Sequence, residues 1–376
     1  MAIYLIGLVL LIGCLIPPFI FKKKNIWIII CLCVASLFMW GLCTFKSLNI
    51  GNDTIKYYTS YLSASDPSSI QSARDIGFGV FRFVCANIRL PWIIFLGLCN
   101  LPLFFGAAFF AYKRTPFPTL IVFFVYTFLL FEFALSGLRQ SMSVGFLLIG
   151  MTFFRKEKWY TWLMYFLFNA LAITMHKSCA VMLIYPFLSL IVLSKVSVLF
   201  FSMILITLAI FASQIESFAF YLISYLEYYP NNASSNYTLI FIIILVLLII
   251  IFDVFLPKTS LKINDYFDKI YIKVFKKNID NDEEKTIKNN LLFKTSFFQT
   301  LPLYIFLIVG LFSNTSVRGY YYSVVSFAAC ISYFIWSQKS KLFRTFLIFA
   351  FVMMFSLYFC VSFLRRSNCV PYEFFF

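Results

Sequence analysis

Three side chains able to handle charge stand between apolar runs: Arg139 in FEFALSGLRQSMSVG, His176 in LAITMHKSCAVML and Arg318 in GLFSNTSVRGYYYSVV. Arginine carries a planar, permanently charged fork that grips phosphate through two parallel hydrogen bonds. His176 is the one histidine of the chain, and an imidazole can take or give a proton near neutral pH. Asp53, in SLNIGNDTIKYYTSYLSA, offers a carboxylate; it or His176 could orient or deprotonate an attacking hydroxyl. Arg82, Gln140, Tyr57, Tyr320 and Tyr321 fall in the same stretches and are candidates to bind a substrate. For each of these the structural alternative is a snorkelling charge or a packed polar group at a helix end.

What positions these residues follows from composition. Of 376 residues, 62% are hydrophobic, 21% aromatic and only 12% charged, with a mean hydropathy of +0.90. Soluble domains average about 25% charged residues, so a bilayer is the expected solvent. Runs such as IFIIILVLLIIIF at 240–252 are continuous, not alternating, which selects helices over the strands of a membrane barrel. The expected fold is an all-α polytopic integral membrane protein forming a single membrane domain over 1–376. Twelve transmembrane helices are expected: 3–21, 26–45, 92–111, 117–133, 138–154, 159–175, 179–194, 196–212, 237–256, 297–313, 320–336 and 345–363.

Between those spans, alternate connections hold Lys22–Lys24, Lys113-Arg114, Arg155, Lys156 and Lys158, Lys195, nine lysines over 258–294, and Lys339, Lys341 and Arg344. This side carries 21 of the 31 basic residues and is therefore expected to be cytosolic. Its bases are 18 lysines and 3 arginines, against 3 lysines and 7 arginines on the other side. Topology alone asks for either residue, so an outward bias to arginine needs a second cause. Arg139, His176 and Arg318 all fall on that outer side.

Three connections are long. The outer loop 46–91 holds Ile76, Val80, Phe83, Val84 and Ile88 near helical spacing, which predicts an interfacial or re-entrant helix. The outer loop 213–236 is rich in tyrosine, as an interfacial belt or a platform stacking on sugar rings would be. The inner loop 257–296 contains DYFDKIYIKVFKKN, a basic stretch suited to the anionic inner leaflet. A +16 formal charge confined to such loops points to lipid, not nucleic acid. Ten cysteines lie mostly within spans without CxxC spacing, and with a single histidine no zinc site and no cofactor are expected. Asp280-Asn281-Asp282 sits in IDNDEEKTIKNN and reads as a solvated turn. An outward site of this kind, apolar below and rimmed by arginine, suits an amphiphile with an anionic phosphate-ester head. Sugar nucleotides are cytosolic, so such a site needs a substrate that is already activated, such as a lipid-diphosphate glycan.

The block from Arg139 to Pro186 resembles the core of EpsG-type and Wzy-type polysaccharide repeat-unit polymerases. An LRQ element opens one span, a basic turn follows, and an HxSA-like element, here His176-Lys177-Ser178-Cys179-Ala180, opens another. GNDTIKYYTSY, the Gly77-Phe78-Phe81 piece and SVRGYYY resemble further elements of that family, so the likeness spans roughly 50–325. It implies a metal-independent enzyme at the outer face of the bacterial inner membrane, with an architecture similar to the GT-C type of membrane glycosyltransferase. Its expected substrate is an undecaprenyl-diphosphate-linked glycan, as in O-antigen, lipopolysaccharide or capsule assembly, and a chain-length co-polymerase is a candidate partner. The likeness further implies that Arg139 and Arg318, with Arg82 as a third, hold the diphosphate while His176 or Asp53 handles the acceptor hydroxyl. An O-antigen ligase or a lipid-linked glycan flippase are the rival readings; a flippase would spread charge through its spans.

Overall fold

The structure, a computed structural model, describes residues 2–20, 24–71, 73–128, 130–211, 250, 261–268, 283–309, 318–366 and 370–375. Among these residues the regular structure is helical. Contacts divide the chain into two units, Met1–Pro186 with Ala350–Phe376, and Phe187–Phe349.

The first unit carries α1 (Ala2–Gly13), α2 (Lys24–Thr44), α3 (Thr54–Leu62), α4 (Ile76–Asn87), α5 (Trp92–Arg114), α6 (Pro118–Thr127), α7 (Leu138–Phe153) and α8 (Trp159–Met175). At its frame, α7 packs against both α5 and α8. Small residues allow the α5–α7 approach: a Cβ on Gly145 would lie 2.2 Å from the Pro102 carbonyl carbon, and one on Gly106 2.6 Å from the Gly145 oxygen. In lipid, where apolar side chains gain little by hiding from solvent, such backbone proximity is a principal source of helix–helix attraction. Tyr126 at the end of α6 donates to the Tyr4 carbonyl at 2.7 Å, fixing α1 to α6. Phe359 and Phe363, from the C-terminal helix Lys341–Arg366, close over the same place, with ring centroids 5.0 Å from Tyr126 and 4.8 Å from Tyr4.

Among the described residues, three helices are long and apolar enough to cross a membrane: Asn25–Thr44, Trp92–Arg114 and Lys341–Val361. Several other expected spans are interrupted. The stretch 3–21 breaks after Gly13 and resumes as the short helix Pro17–Ile20, because Pro17 and Pro18 have no N–H to continue the ladder. The stretch 117–133 divides into Pro118–Thr127 and Leu130–Ala134. The expected span 179–194 begins instead as a 3-10 helix, Lys177–Ile184, followed by Tyr185–Leu188. There the Cys179 N–H reaches back three residues to the His176 carbonyl at 3.0 Å. Eight residues is long for that tighter helix, whose strained stretches recur at functional positions. The span expected at 237–256, residue 250 apart, the tyrosine-rich loop 213–236 and the turn at 280–282 lie outside the described residues.

The loop 46–91 is tied at its start to the C-terminal residues 372–375. Residues 45–47 pair antiparallel with the C-terminal strap: Ser47 N–H donates to the Glu373 carbonyl at 2.8 Å and Phe375 N–H to the Phe45 carbonyl at 3.0 Å. Tyr372 adds a bond to the Leu42 carbonyl at 2.8 Å. Phe375 packs on a hydrophobic cluster that includes Tyr61, Phe78, Trp92, Phe95, Leu138 and Met175, within which Tyr61 stacks on Phe95 at 4.4 Å.

In the second unit, part of the expected inner loop is an ordered helix. Glu283–Ser296 packs on Val324–Ser337, with the Phe293 and Phe334 rings 5.4 Å apart. Buried Asn264 clamps Gln338 and Ser340 through its amide, at 3.1 and 3.0 Å.

Candidate active site

The sequence sends α8 to a hard stop at His176, whose backbone is extended at φ −158 and ψ 117. The imidazole therefore leaves the helix end instead of lying along it. Asp75 occupies the N-cap position of α4, a place where aspartate usually binds its own helix's free N–H groups. Here its side chain makes no cap bond. The carboxylate turns instead to three partners from elsewhere: Oδ2 lies 2.9 Å from His176 Nδ1 and 2.7 Å from Arg139 Nη1, and Oδ1 accepts from the Lys177 N–H at 3.1 Å.

Arg139 is the second residue of α7. A cation in the first helical turn works against the helix dipole, so it serves a tertiary role. Its Nε donates to the Tyr57 hydroxyl at 3.3 Å and its guanidinium stands 5.9 Å from that ring's centre. The arginine and the positive end of α7 point the same way electrostatically, toward an anion. Arg82, on the inner face of α4, is held by the Ser69 carbonyl at 3.1 Å and by the Ser60 hydroxyl. Burial, and then the charge of Arg139, hold the Arg82 guanidinium below its ordinary pKa. The two cations therefore feel each other.

Asp75 is 1% exposed at its side chain, against 17% for His176 and 24% for Arg139. Burial would raise the Asp75 carboxyl, but the hydrogen bond and charge of His176, the Lys177 N–H and Arg139 together bring it below its ordinary value. Burial pushes the His176 imidazole below 6.5, and Arg139 and Arg74 push the same way, outweighing the lift from Asp75. At neutral pH the pair is an ionised carboxylate beside a neutral imidazole. An ionised carboxylate can only accept, so Nδ1 carries the proton and Nε2 keeps its lone pair. That is the arrangement a general base needs.

Of the residues expected from the sequence, Arg139, His176 and Tyr57 meet around Asp75. Buried Gln140 reaches Ser178 at 3.4 Å, tying the first turn of α7 to the turn that follows His176. Asp53 pairs with Lys56 at 3.5 Å, both partly solvent-exposed; the carboxylate on His176 is that of Asp75. Arg318, Tyr320 and Tyr321 form the 3-10 turn Arg318–Ser323 of the second unit, the two tyrosine rings 4.3 Å apart.

Two residues that matter here escaped the sequence reading. Asp75 has a single local signal, an acid heading the amphipathic stretch SARDIGFGVF. Lys46 carried no signal at all. It is fully buried, and its ammonium donates to Thr54 Oγ1 at 2.9 Å and to the Leu135 carbonyl. Gly51, at φ +85, brings the loop so close that a Cβ would sit 2.1 Å from the Leu135 oxygen. The Asn52 N–H also donates to Ser136 Oγ at 3.2 Å. The segment carrying Tyr57 is thus bolted to the turn that delivers Arg139.

The EpsG family model matches residues 27–374. The chain belongs to the EpsG family. EpsG proteins are Wzy-like, of polysaccharide-polymerase type, and the match takes in Asp75, Arg139, His176, Arg318 and the C-terminal strap to Phe374. No curated protein and no solved structure matches the chain.

Proposed function

We propose that this EpsG-family protein polymerises undecaprenyl-diphosphate-linked oligosaccharide units by glycosyl transfer at the outer face of the bacterial inner membrane. The observation that carries this reading is one buried carboxylate, Asp75, bonded at once to His176 and to Arg139. It joins a base to an anion-binding cation, the two functions that such a transfer asks of a protein. A hydroxyl of one lipid-linked unit attacks the anomeric carbon of another, whose bond to the diphosphate oxygen breaks. His176 Nε2 takes the hydroxyl proton, and undecaprenyl diphosphate leaves as an anion. A positioned base of this kind contributes about 100- to 10,000-fold.

Charge developing on the leaving oxygens is met by Arg139 and the N-terminus of α7, assisted by Arg82. Diphosphate is itself a good leaving group, so the step is written without a metal ion. Gln140 and Tyr57 are assigned to substrate contact, and Asp53 to the loop that carries Tyr57. The full set of twelve spans and a GT-C-like architecture belong to the same proposal.

The test is reconstitution of the full chain with synthetic undecaprenyl-diphosphate repeat units. A ladder of products that vanishes in Asp75→Asn, His176→Ala and Arg139→Lys supports the reading. Unit-by-unit transfer onto a different acceptor, without a ladder, would replace it with that of a ligase.

A further inference from the structure

The helix that begins at Asp75 has a face that the protein leaves bare. Along α4, Ile76, Val80, Val84 and Ile88 recur every fourth residue and are 65, 42, 49 and 64% exposed. The opposite face turns Phe78 and Cys85 into the core, each 3% exposed, with Arg82 between them. At 12 residues the helix is about 18 Å long, too short to cross a hydrocarbon core of about 30 Å. A stripe of this kind on a helix that cannot span is the mark of an element lying in the membrane surface.

Two further observations choose lipid as the occupant. The first is charge: within α4 the one ionisable group besides Cys85 is the inward Arg82, while exposed Arg74 precedes the helix and exposed Arg89 follows it. Arg89 holds a left-handed backbone, φ +54, in a closing motif where glycine is usual. Its N–H bonds to the Ala86 carbonyl at 3.0 Å and that of Leu90 to Cys85 at 3.1 Å. A strained position retaining a cation at the end of an apolar stripe fits a layer with phosphates above and acyl chains below. The second is continuity. A Cβ on Gly77 would meet Thr174 at 2.4 Å, so the start of α4 crosses the end of α8, whose own Leu163, Leu167 and Leu171 are exposed.

We infer that α4 lies in the outer interface of the bilayer, with Ile76, Val80, Val84 and Ile88 among acyl chains and Arg74 and Arg89 at the lipid phosphates. Asp75, its first neighbour, is thereby carried to headgroup depth. That consequence rests on the proposed lipid-diphosphate substrate; the docking itself does not.

The experiment is collision-gradient electron spin resonance on the full chain in phosphatidylglycerol–phosphatidylethanolamine liposomes. Nitroxides are attached through an unnatural ketone residue at Val80 or Val84, and at exposed Asp66 as the aqueous reference. Membrane docking gives, at 80 and 84, oxygen collision well above that of the water-soluble nickel chelate, the reverse of position 66. Preference for the nickel chelate would place the stripe in water and overturn the inference. Exclusion of both agents would place it under protein and overturn it equally. Because no turnover is needed, failure here is separable from failure of the polymerase reading.

Discussion

Asp75 Oδ2 lies 2.9 Å from His176 Nδ1 across 101 residues of sequence, and the same oxygen holds Arg139 at 2.7 Å. One atom thus sets both the tautomer of the imidazole and the direction of the guanidinium. The carboxylate is buried and fully used, so it positions its neighbours and is not itself the base.

Asp75→Asn keeps the size and one acceptor oxygen but loses the charge that enforces Nδ1–H. We expect product formation to fall about 100- to 10,000-fold, with protein level in the membrane near normal. Rates of ladder growth in proteoliposomes, with immunoblots for abundance, measure both. A variant as active as the parent would remove Asp75 from the mechanism.

Arg139→Lys retains a positive charge but loses the fork that reaches Asp75 and Tyr57 together. A loss of about 100- to 1,000-fold is expected, as for removal of one donor to a developing anion, appearing in kcat more than in KM. Unchanged polymer length in this variant would end the diphosphate assignment.

The pH profile has a defined sign. His176 must be neutral to act as a base and is held below 6.5, so activity should be level at neutral pH and fall only below 6.5. Asp75→Asn removes the partner that raises the imidazole, moving this acid limb lower still. Both groups release protons more readily folded than unfolded. Their contribution to stability is therefore present at neutral pH and is lost as pH falls, first for His176 and then for Asp75. Melting temperatures from pH 7 down to well below 3.8 check this.

Lys46→Met fills the same space without a donor. The Leu135 carbonyl and Thr54 lose the ammonium that now reaches both, at about 1–3 kcal/mol for a buried polar group deprived of its partner. Thermal denaturation in detergent should show a lowered transition, and activity should drop with it because the turn before Arg139 loosens.

Gly145→Val would drive a side chain into the Pro102 backbone. Overpacking costs about 1–3 kcal/mol even where side chains can yield, and backbone yields less. We expect poor accumulation in the membrane, in contrast to Gly13→Val, whose Cβ would meet nothing within 4 Å.

The legible part of the site was the part with rare residue types. His176 is unique in the chain and Arg139 is an arginine at the start of an apolar run, so both could be picked out one at a time. Asp75 could not, because its role depends on two partners that local sequence does not bring near. Lys46 looked like any lysine at a span end, whereas only the folded loop shows it buried under Thr54 and Leu135. The helical, lipid-solvated character followed from composition alone. Helix ends were predicted well where a turn is strongly polar, as at Arg155–Lys158 before α8. They were predicted poorly where proline or a 3-10 turn cuts an unbroken apolar run, as at Pro17 and after His176, since hydropathy does not register a missing N–H.

The pairing of residues 45–47 with Glu373–Phe375 bears on how sidedness can be measured. Reporter fusions made by cutting the chain progressively from its C-terminus would discard this clasp in every member of the series. Each truncated molecule would then release the very loop that presents Tyr57 and Asp75, and its reporter would describe a different molecule. Tags inserted within an uncut chain, or chemical labelling of single positions, keep the ring of chain shut and read the orientation of the working protein.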